Sequence, residues 1–584
     1  MKRYWLRNTL VGLVLLCAAR LSASQNVWTG AAGDNRWTNA ANWSLAALPD
    51  YTQDVVIQDT GGNAVALTAP VEVGSLILGS LQGSATLNIT GGALQCDGAV
   101  QIQTNSLLNL AGDLNVWMFQ VDGEVNWTGG TLSAWSSTTI GSSGHLTIGA
   151  LSNVLSGAFF NNGTVTCFAT NLVANSGMEF TNNNLLVLHT NLALTAFSGV
   201  YPFPSFCNLG TILVPAGAGV VALTPNYMFL NQGTLQADTN AVLEVRPGGF
   251  SGLVFQDGTV FEGAGLVRFT GGGNFSCSGT MLVNGTVELA DSSGYGLMAT
   301  WTGPGLFRWL GGGLDSFAFG PDFHVDISGT GDKYLSGTCT NLGSVRWLGA
   351  SSLHAIWGSP AFANGGIFTI EADCNWDPLI ALANLPGGLV RQVAGQASFG
   401  NFSNSGMTDF SSGVLSVSGF DSAPASTCRW TLSGPSPGAG YSPLYAGSLG
   451  LDGALVVALT NGFTPASGSS FVLATNLYRN GSFATVSLPV LSSNLSWRVR
   501  YDANAVTLKV IPPPLLSSGA RLADGSFQFR LTGGEGSGYE LQTSTNLGDW
   551  ITLNTNGPFT GTLTLSDTNA AQFGRRFYRA RIAE

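Results

Sequence analysis

A short signal, Asn-x-Gly-Thr-aliphatic, returns along this chain at a near-constant interval, and that recurrence restricts the fold more than any other feature of the sequence. It stands as Asn161-Asn162-Gly163-Thr164-Val165, Asn208-Leu209-Gly210-Thr211-Ile212, Asn231-Gln232-Gly233-Thr234-Leu235 and Gln256-Asp257-Gly258-Thr259-Val260. Weaker copies are Val283-Asn284-Gly285-Thr286-Val287, Asn341-Leu342-Gly343-Ser344-Val345, Asn364-Gly365-Gly366-Ile367 and Asn404-Ser405-Gly406-Met407, with a divergent one at Asn182-Asn183-Asn184-Leu185-Leu186. The third positions of successive copies are 163, 184, 210, 233, 258 and 285, which sets the period at about 24. A longer echo agrees: Gly263-Ala264-Gly265-Leu266-Val267-Arg268-Phe269 returns as Gly303-Pro304-Gly305-Leu306-Phe307-Arg308-Trp309, a separation that suits two coils.

Each unit is a turn signal followed by a short β-favouring run, with no long amphipathic helix between units. A run of four residues cannot bury its own apolar face, but parallel stacking on its neighbours does so, with rungs ~4.8 Å apart. The expected fold is all-β: a right-handed parallel β-helix followed by small β-sandwich-like modules. Val165, Leu186, Ile212, Leu235, Val260, Val287, Val345, Ile367 and Met407 are expected in one interior ladder. Glu262 and Asp409 sit badly in that register. The Gly and Asn positions suit corners that need φ > 0, and stacked Asn amides can bond along the axis.

Composition agrees with a folded, turn-rich chain: 79 of 584 residues are Gly, 45% are hydrophobic and only 9% are charged. With three lysines and a net charge of −11, the chain lacks the dense basic face that a nucleic-acid partner needs. Residues 1–23 read as a signal peptide: Lys2, Arg3 and Arg7 precede the apolar run Thr9 to Ala19, and Leu21-Ser22-Ala23 offers a cleavage site. Cys17 raises a lipid anchor, against which Leu16 is too large for the position before it. No later apolar run approaches the ~20 residues of a membrane span. The seven remaining cysteines are scattered without a Cys-x-x-Cys pair, so they are expected as free, buried thiols.

An open β-helix needs capped ends. Trp28-Thr29-Gly30, Trp37, Asn42-Trp43-Ser44 and Leu48-Pro49 resemble the Trp-rich opening of secreted bacterial autotransporter-passenger-like proteins, and are expected to plug the first coil across residues 24–70. The β-helix is placed at 71–427. Gly468-Ser469-Ser470-Phe471-Val472-Leu473, Leu488-Pro489, Trp497 and Val506-Thr507-Leu508 resemble the closing cap of the same proteins, placed at 428–511. Beyond the stiff Pro512-Pro513-Pro514, residues 515–584 carry Ser544-Thr545-Asn546-Leu547, Trp550 and Phe577-Tyr578-Arg579, and resemble a fibronectin type III-like module. The resemblance implies an adhesin-like protein, secreted or on the outer surface of a Gram-negative bacterium. The chain carries no translocator barrel or sorting motif of that type, so any attachment is expected to be non-covalent.

Enzymes on this architecture cleave polysaccharides with clustered carboxylates. The densest group is Glu371-Ala372-Asp373 with Asp377, read as two carboxylates on one side of a strand and as the weak catalytic or Ca²⁺ candidate. His145, His189, His324 and His354 form no metal-spaced pair, there is no Gly-x-Ser-x-Gly elbow, and the Gly runs lack the Lys-Ser/Thr of a phosphate loop. No metal or cofactor is expected. Arg268, Arg308 and Arg346 recur at nearly even spacing, two coils at a time, and should point outward while Val267, Phe269, Trp309 and Trp347 face inward. Such a row suits an acidic extracellular polysaccharide or cell-surface glycan, or else is paired with local acids. The reading is therefore a non-catalytic, glycan-contacting scaffold, with a polysaccharide lyase or hydrolase as the alternative. Nothing in the sequence fixes an oligomeric state.

Overall fold

Alternation of apolar and polar residues in runs of four becomes a wall when the runs stack. In Leu107–Leu110, Glu124–Trp127, His145–Ile148 and Thr164–Cys167 the second and fourth side chains are at most 1% exposed, while those between them face outward. A computed structural model describes residues 24–582 apart from 150–151, 176, 197–203, 249–251 and 492–494. The expected export signal, residues 1–23, lies outside the described residues. The fold is a parallel β-solenoid, and the chain divides into two compact units, 1–299 and 300–584. Among the described residues no helix is long and apolar enough to cross a membrane.

In the first unit each coil lays down parallel strands in three stacks. One interior column of the first stack runs in register Leu108, Val125, Leu146, Val165, Leu186, Ile212, Leu235. Burying each such side chain contributes about 1.5–3 kcal/mol. The parallel stacking begins ahead of residue 71, since Ser24–Val27 pairs with Gln53–Ile57 and that strand with Ser75–Leu78. Trp28, Trp37 and Trp43 pack edge to face at this end, and Trp43 Nε1 donates to the Trp37 carbonyl at 2.8 Å.

In the second unit the same alternation builds a column from Phe307, Val325, Val345, Phe368, Val390 and Thr408. Parallel pairing continues past residue 427, as far as Thr485–Ser487. The strand Ser470–Gly481 then pairs antiparallel with Ala505–Ile511, which also takes Ser496–Tyr501 antiparallel. Leu515–Arg521, Phe527–Ser544, Ile551–Asp567 and Phe577–Ile582 form a separate antiparallel sheet with its own core of Phe529, Leu531, Tyr539, Leu541 and Leu565.

The corner asparagines make two buried amide ladders. Asn161 Nδ2 donates to Asn182 Oδ1 (2.6 Å), Asn182 to Asn208 (2.7 Å) and Asn208 to Asn231 (2.7 Å), and Asn231 ends the series on Thr259 Oγ1 (3.1 Å). In the second unit Asn341, Asn364, Asn384 and Asn404 repeat this at 2.7, 2.9 and 2.8 Å, ending on Cys428 Sγ. All eight are at most 1% exposed. Asn161 Oδ1 also accepts the Gly163 N–H of its own corner, so one side chain closes the turn and joins it to the next coil.

The structure corrects the expected register and the expected role of the glycines. Val260, Ile367 and Met407 are not interior: Thr234 pairs with Val260, Ser344 with Ile367 and Leu389 with Met407, so Phe261, Phe368 and Thr408 fill the column. In the two weak copies the aliphatic residue stands where others carry Thr or Ser, and at 256–259 the connection is longer. Val287 is buried in a different stack, opposite Val267. Glu262 and Asp409 hold outward positions of their strands, so neither breaks the pattern. Gly258 has the expected positive φ (92°), but Gly163, Gly233 and Gly366 do not; a Cβ on each of these three would come within 2.1 to 2.2 Å of a carbonyl oxygen of the neighbouring coil. Close approach between coils, rather than backbone handedness, selects glycine there.

Replacing a central rung, Asn208→Ala, leaves two buried amides short of partners and is expected to cost about 1–3 kcal/mol, read as a lowered denaturation midpoint. Asn162→Ala removes only an exposed acceptor for Asn183 and should change stability by less than about 0.5 kcal/mol.

Candidate functional site

An outward position on a parallel strand sits directly over the same position of the next coil, so charges placed there must alternate in sign. Glu244, Arg268 and Glu288 are successive partners in one row of the first unit. Arg268 Nη1 donates to Glu244 Oε1 at 3.1 Å and its Nε to Glu288 Oε1 at 2.5 Å, while Arg246 also reaches Glu244. The two carboxylates are 8% and 7% exposed and the guanidinium 31%. Burial alone would lower the Arg268 pKa, but the hydrogen bonds and charges of Glu288 and Glu244 raise it above its ordinary value.

The second unit carries the longer row Arg308, Asp326, Arg346, Thr369, Arg391, Asp409, Arg429. Arg308 and Arg346 are thus two coils apart, as their spacing predicts, and Trp309 and Trp347 face inward. Arg308 is exposed beside Asp326. Arg346 grips Glu371 with two donors, Nε to Oε1 at 2.9 Å and Nη2 to Oε2 at 3.2 Å, and stands 3.9 Å from Asp326. The Glu371 hydrogen bond holds its pKa above the usual value. Asp409, 1% exposed, lies between Arg429 at 2.8 Å and Arg391 at 3.4 Å and accepts from Thr431 Oγ1 and Ser411 Oγ.

The predicted carboxylates do not share a strand face. Glu371, Ala372 and Asp373 form the connection between Ile367–Ile370 and Cys374–Trp376, and Asp377 follows the second strand. Strand alternation therefore does not apply to them. Glu371 is taken up by Arg346. Asp373 Oδ1 accepts the Gln396 N–H at 2.8 Å and Asp377 Oδ1 the Leu379 N–H at 2.9 Å. Asp377 nevertheless borders a groove of about 490 Å³ with His354, Asn375, Ser398 and Ser416, and Asp373 a neighbouring one of about 430 Å³. Sequence reading finds the arginines but misses their partners Glu244, Glu288, Asp326 and Asp409. The signal is there: Leu243-Glu244-Val245, Val267-Arg268-Phe269 and Val287-Glu288-Leu289 are one pattern with the middle charge reversed.

Compared with models of known protein families and with curated proteins, the chain finds no match.

Lys333 lies in the interior of the second unit, 0% exposed, its Nζ donating to the carbonyls of Leu310 (3.1 Å) and Gly331 (2.8 Å) and to Ser351 Oγ (3.1 Å). Burial pushes its pKa down to about 8, against the pull of Asp332. Because this lies below the ordinary 10.5, the unfolded chain binds more protons between those values, and the Lys333 contribution to stability rises with pH across that window. The denaturation midpoint of the protein relative to a Lys333→Met variant is therefore expected to rise between pH 7.5 and pH 10, whatever other groups titrate. Asp409→Ala should strand two arginines and cost about 3 kcal/mol; Asp377→Ala, at an exposed turn, less than about 1 kcal/mol.

Proposed function

We propose that this protein is a non-catalytic β-solenoid scaffold that works outside the cell and contacts glycans through its outward sheet faces, in the manner of an adhesin. The observation that carries the reading is the fate of the candidate carboxylates: Glu371 is neutralised by two donors of Arg346, and Asp373 and Asp377 each cap a backbone N–H. A general acid and base for glycosidic cleavage need carboxyl groups held toward a substrate, one of them with a raised pKa, and these groups are held toward the protein. The Trp-rich opening, the parallel solenoid and the antiparallel closing strands support kinship of architecture with passenger-type proteins, and the residues before Ser24 support export. Arg268 and Arg346 are tied to local acids, which favours a structural use of that row over capture of acidic sugars.

A polysaccharide lyase or hydrolase is the second reading, favoured by the groove that Asp377 borders with His354, Asn375 and Ser398. Incubation with plant, algal and microbial polysaccharides, scored for new reducing ends and unsaturated products, separates the two. No product is the expected result. Product formation that disappears in Asp377→Asn or Glu371→Gln would establish the enzyme instead. Arg268→Gln, Arg308→Gln and Arg346→Gln together are expected to lower the denaturation midpoint while leaving retention on an acidic-polysaccharide column unchanged.

A further inference from the structure

At one corner of the first unit two coils bulge on either side of a third. Between the paired residues Cys96↔Val116 and Ala99↔Met118, Asp97 and Gly98 oppose Trp117 alone; between Ala134↔Val116 and Ser137↔Met118, Trp135 and Ser136 oppose the same Trp117. A bulge re-aims the side chain it carries and bends the strand. Here one bulge carries Trp135 and Trp117 is the residue that faces both bulges, so two tryptophans on adjacent coils stand outward, Trp117 57% and Trp135 78% exposed, where most other bulky rings among the described residues are buried. They border a cavity of about 320 Å³ whose remaining lining is Gln95, Cys96, Asp97 and Asn115. Gln95, Asn115 and Ser133 form an outward polar row in register beside the rings.

We propose that this bulged corner is the binding platform for an uncharged polysaccharide, the rings stacking on pyranose faces and Gln95, Asn115 and Asp97 bonding the hydroxyls. The inference rests on the glycan-contacting reading above and names its site and ligand class. Large rigid rings with an apolar face and a polar edge give contact area at low entropic cost. Adjacent coils are ~4.8 Å apart, comparable with the advance of one sugar residue, so two rings in consecutive coils meet consecutive sugars of a chain laid along the stack. Asn115, Asp97 and the Gln95 carbonyl oxygen supply donors and acceptors for hydroxyl groups, while the Gln95 Nε2 also donates to Glu72 Oε1 at 3.2 Å. The lining holds one carboxylate and no base, which disfavours uronic-acid or sulfated chains and selects neutral ones. Neither ring is needed for the interior, since Val116 and Ala134 beside them fill it.

The test is affinity electrophoresis of the full chain in gels containing β-glucan, xylan, galactomannan or polygalacturonate. It compares the unaltered protein with Trp117→Ala, Trp135→Ala, their double variant, and Trp357→Ala, which removes an equally exposed ring (74%) of the second unit. Denaturation midpoints and sedimentation record fold and mass. At least one neutral glycan is expected to retard the protein, the double variant to lose about tenfold or more in affinity, and Trp357→Ala to behave as the parent. Retardation by a neutral glycan that survives the double variant overturns the platform and leaves the glycan reading standing. Retardation by polygalacturonate alone does the same. A double variant that changes the mass in solution but not the glycan affinity makes this corner a contact between copies and overturns the platform. No retardation by any of the four overturns both.

Discussion

A buried amide that must find its partner in the next coil is the constraint from which the rest of this structure follows. Asn208 is fully buried and bonded on one side to Asn182 and on the other to Asn231; leaving any one of these groups unpaired in the interior costs about as much as a whole hydrogen bond. Such a ladder tolerates no slip of a coil against its neighbour, because a one-residue shift moves every side chain of the strand to the other face. Apolar columns alone reward burial but do not distinguish Leu over Val from Val over Leu. The ladders therefore fix register, and the columns supply the bulk of the stabilisation.

Stacking like on like also governs the exterior. Amides can repeat without penalty, as where Asn126 donates to Asn109 and Asn109 to Asn88. Charges cannot, because identical charges at the strand spacing repel. The chain answers by using few of them and reversing their sign from coil to coil, Glu244 to Arg268 to Glu288. A low charge content and an arginine that returns only every second coil are two expressions of the same rule.

This explains which parts of the structure are legible in the sequence. The parallel stacking, the inward Val267, Phe269, Trp309 and Trp347 and the Asn ladders can be read, because each repeats with the coil. What cannot be read is what depends on a neighbour in space rather than in sequence. Ile367 and Met407 look interior when the motif is aligned on its aliphatic residue, whereas the coils align on the asparagine: Asn341 pairs with Asn364, which puts Ile367 over Ser344. Val260 looks interior when aligned on Gly258, but Phe255 is the residue that pairs with Asn231, and the longer connection after it puts Val260 over Thr234. The glycines look like turn residues because their real neighbour, a carbonyl oxygen of the adjacent coil, lies a full repeat away along the chain. Glu371 and Asp373 look like strand residues because nothing local marks the connection they occupy.

The same rule bears on where such a scaffold can carry function. In a regular coil the outward residues are already committed: arginines to carboxylates, amides to amides, serines to serines, as with Ser133 and Ser156. A ligand competing for them must first break a contact between coils. Side chains become available where the regular pattern is interrupted, and in the first unit the bulges at Asp97-Gly98 and Trp135-Ser136 do this without breaking the interior column on either side. The arginine row is the more conspicuous candidate in the sequence because it repeats, but repetition is the mark of the ladder. The tryptophans at the bulges stand outside it, which is why a search for repeats passes over them and why they are free to meet something other than the protein itself.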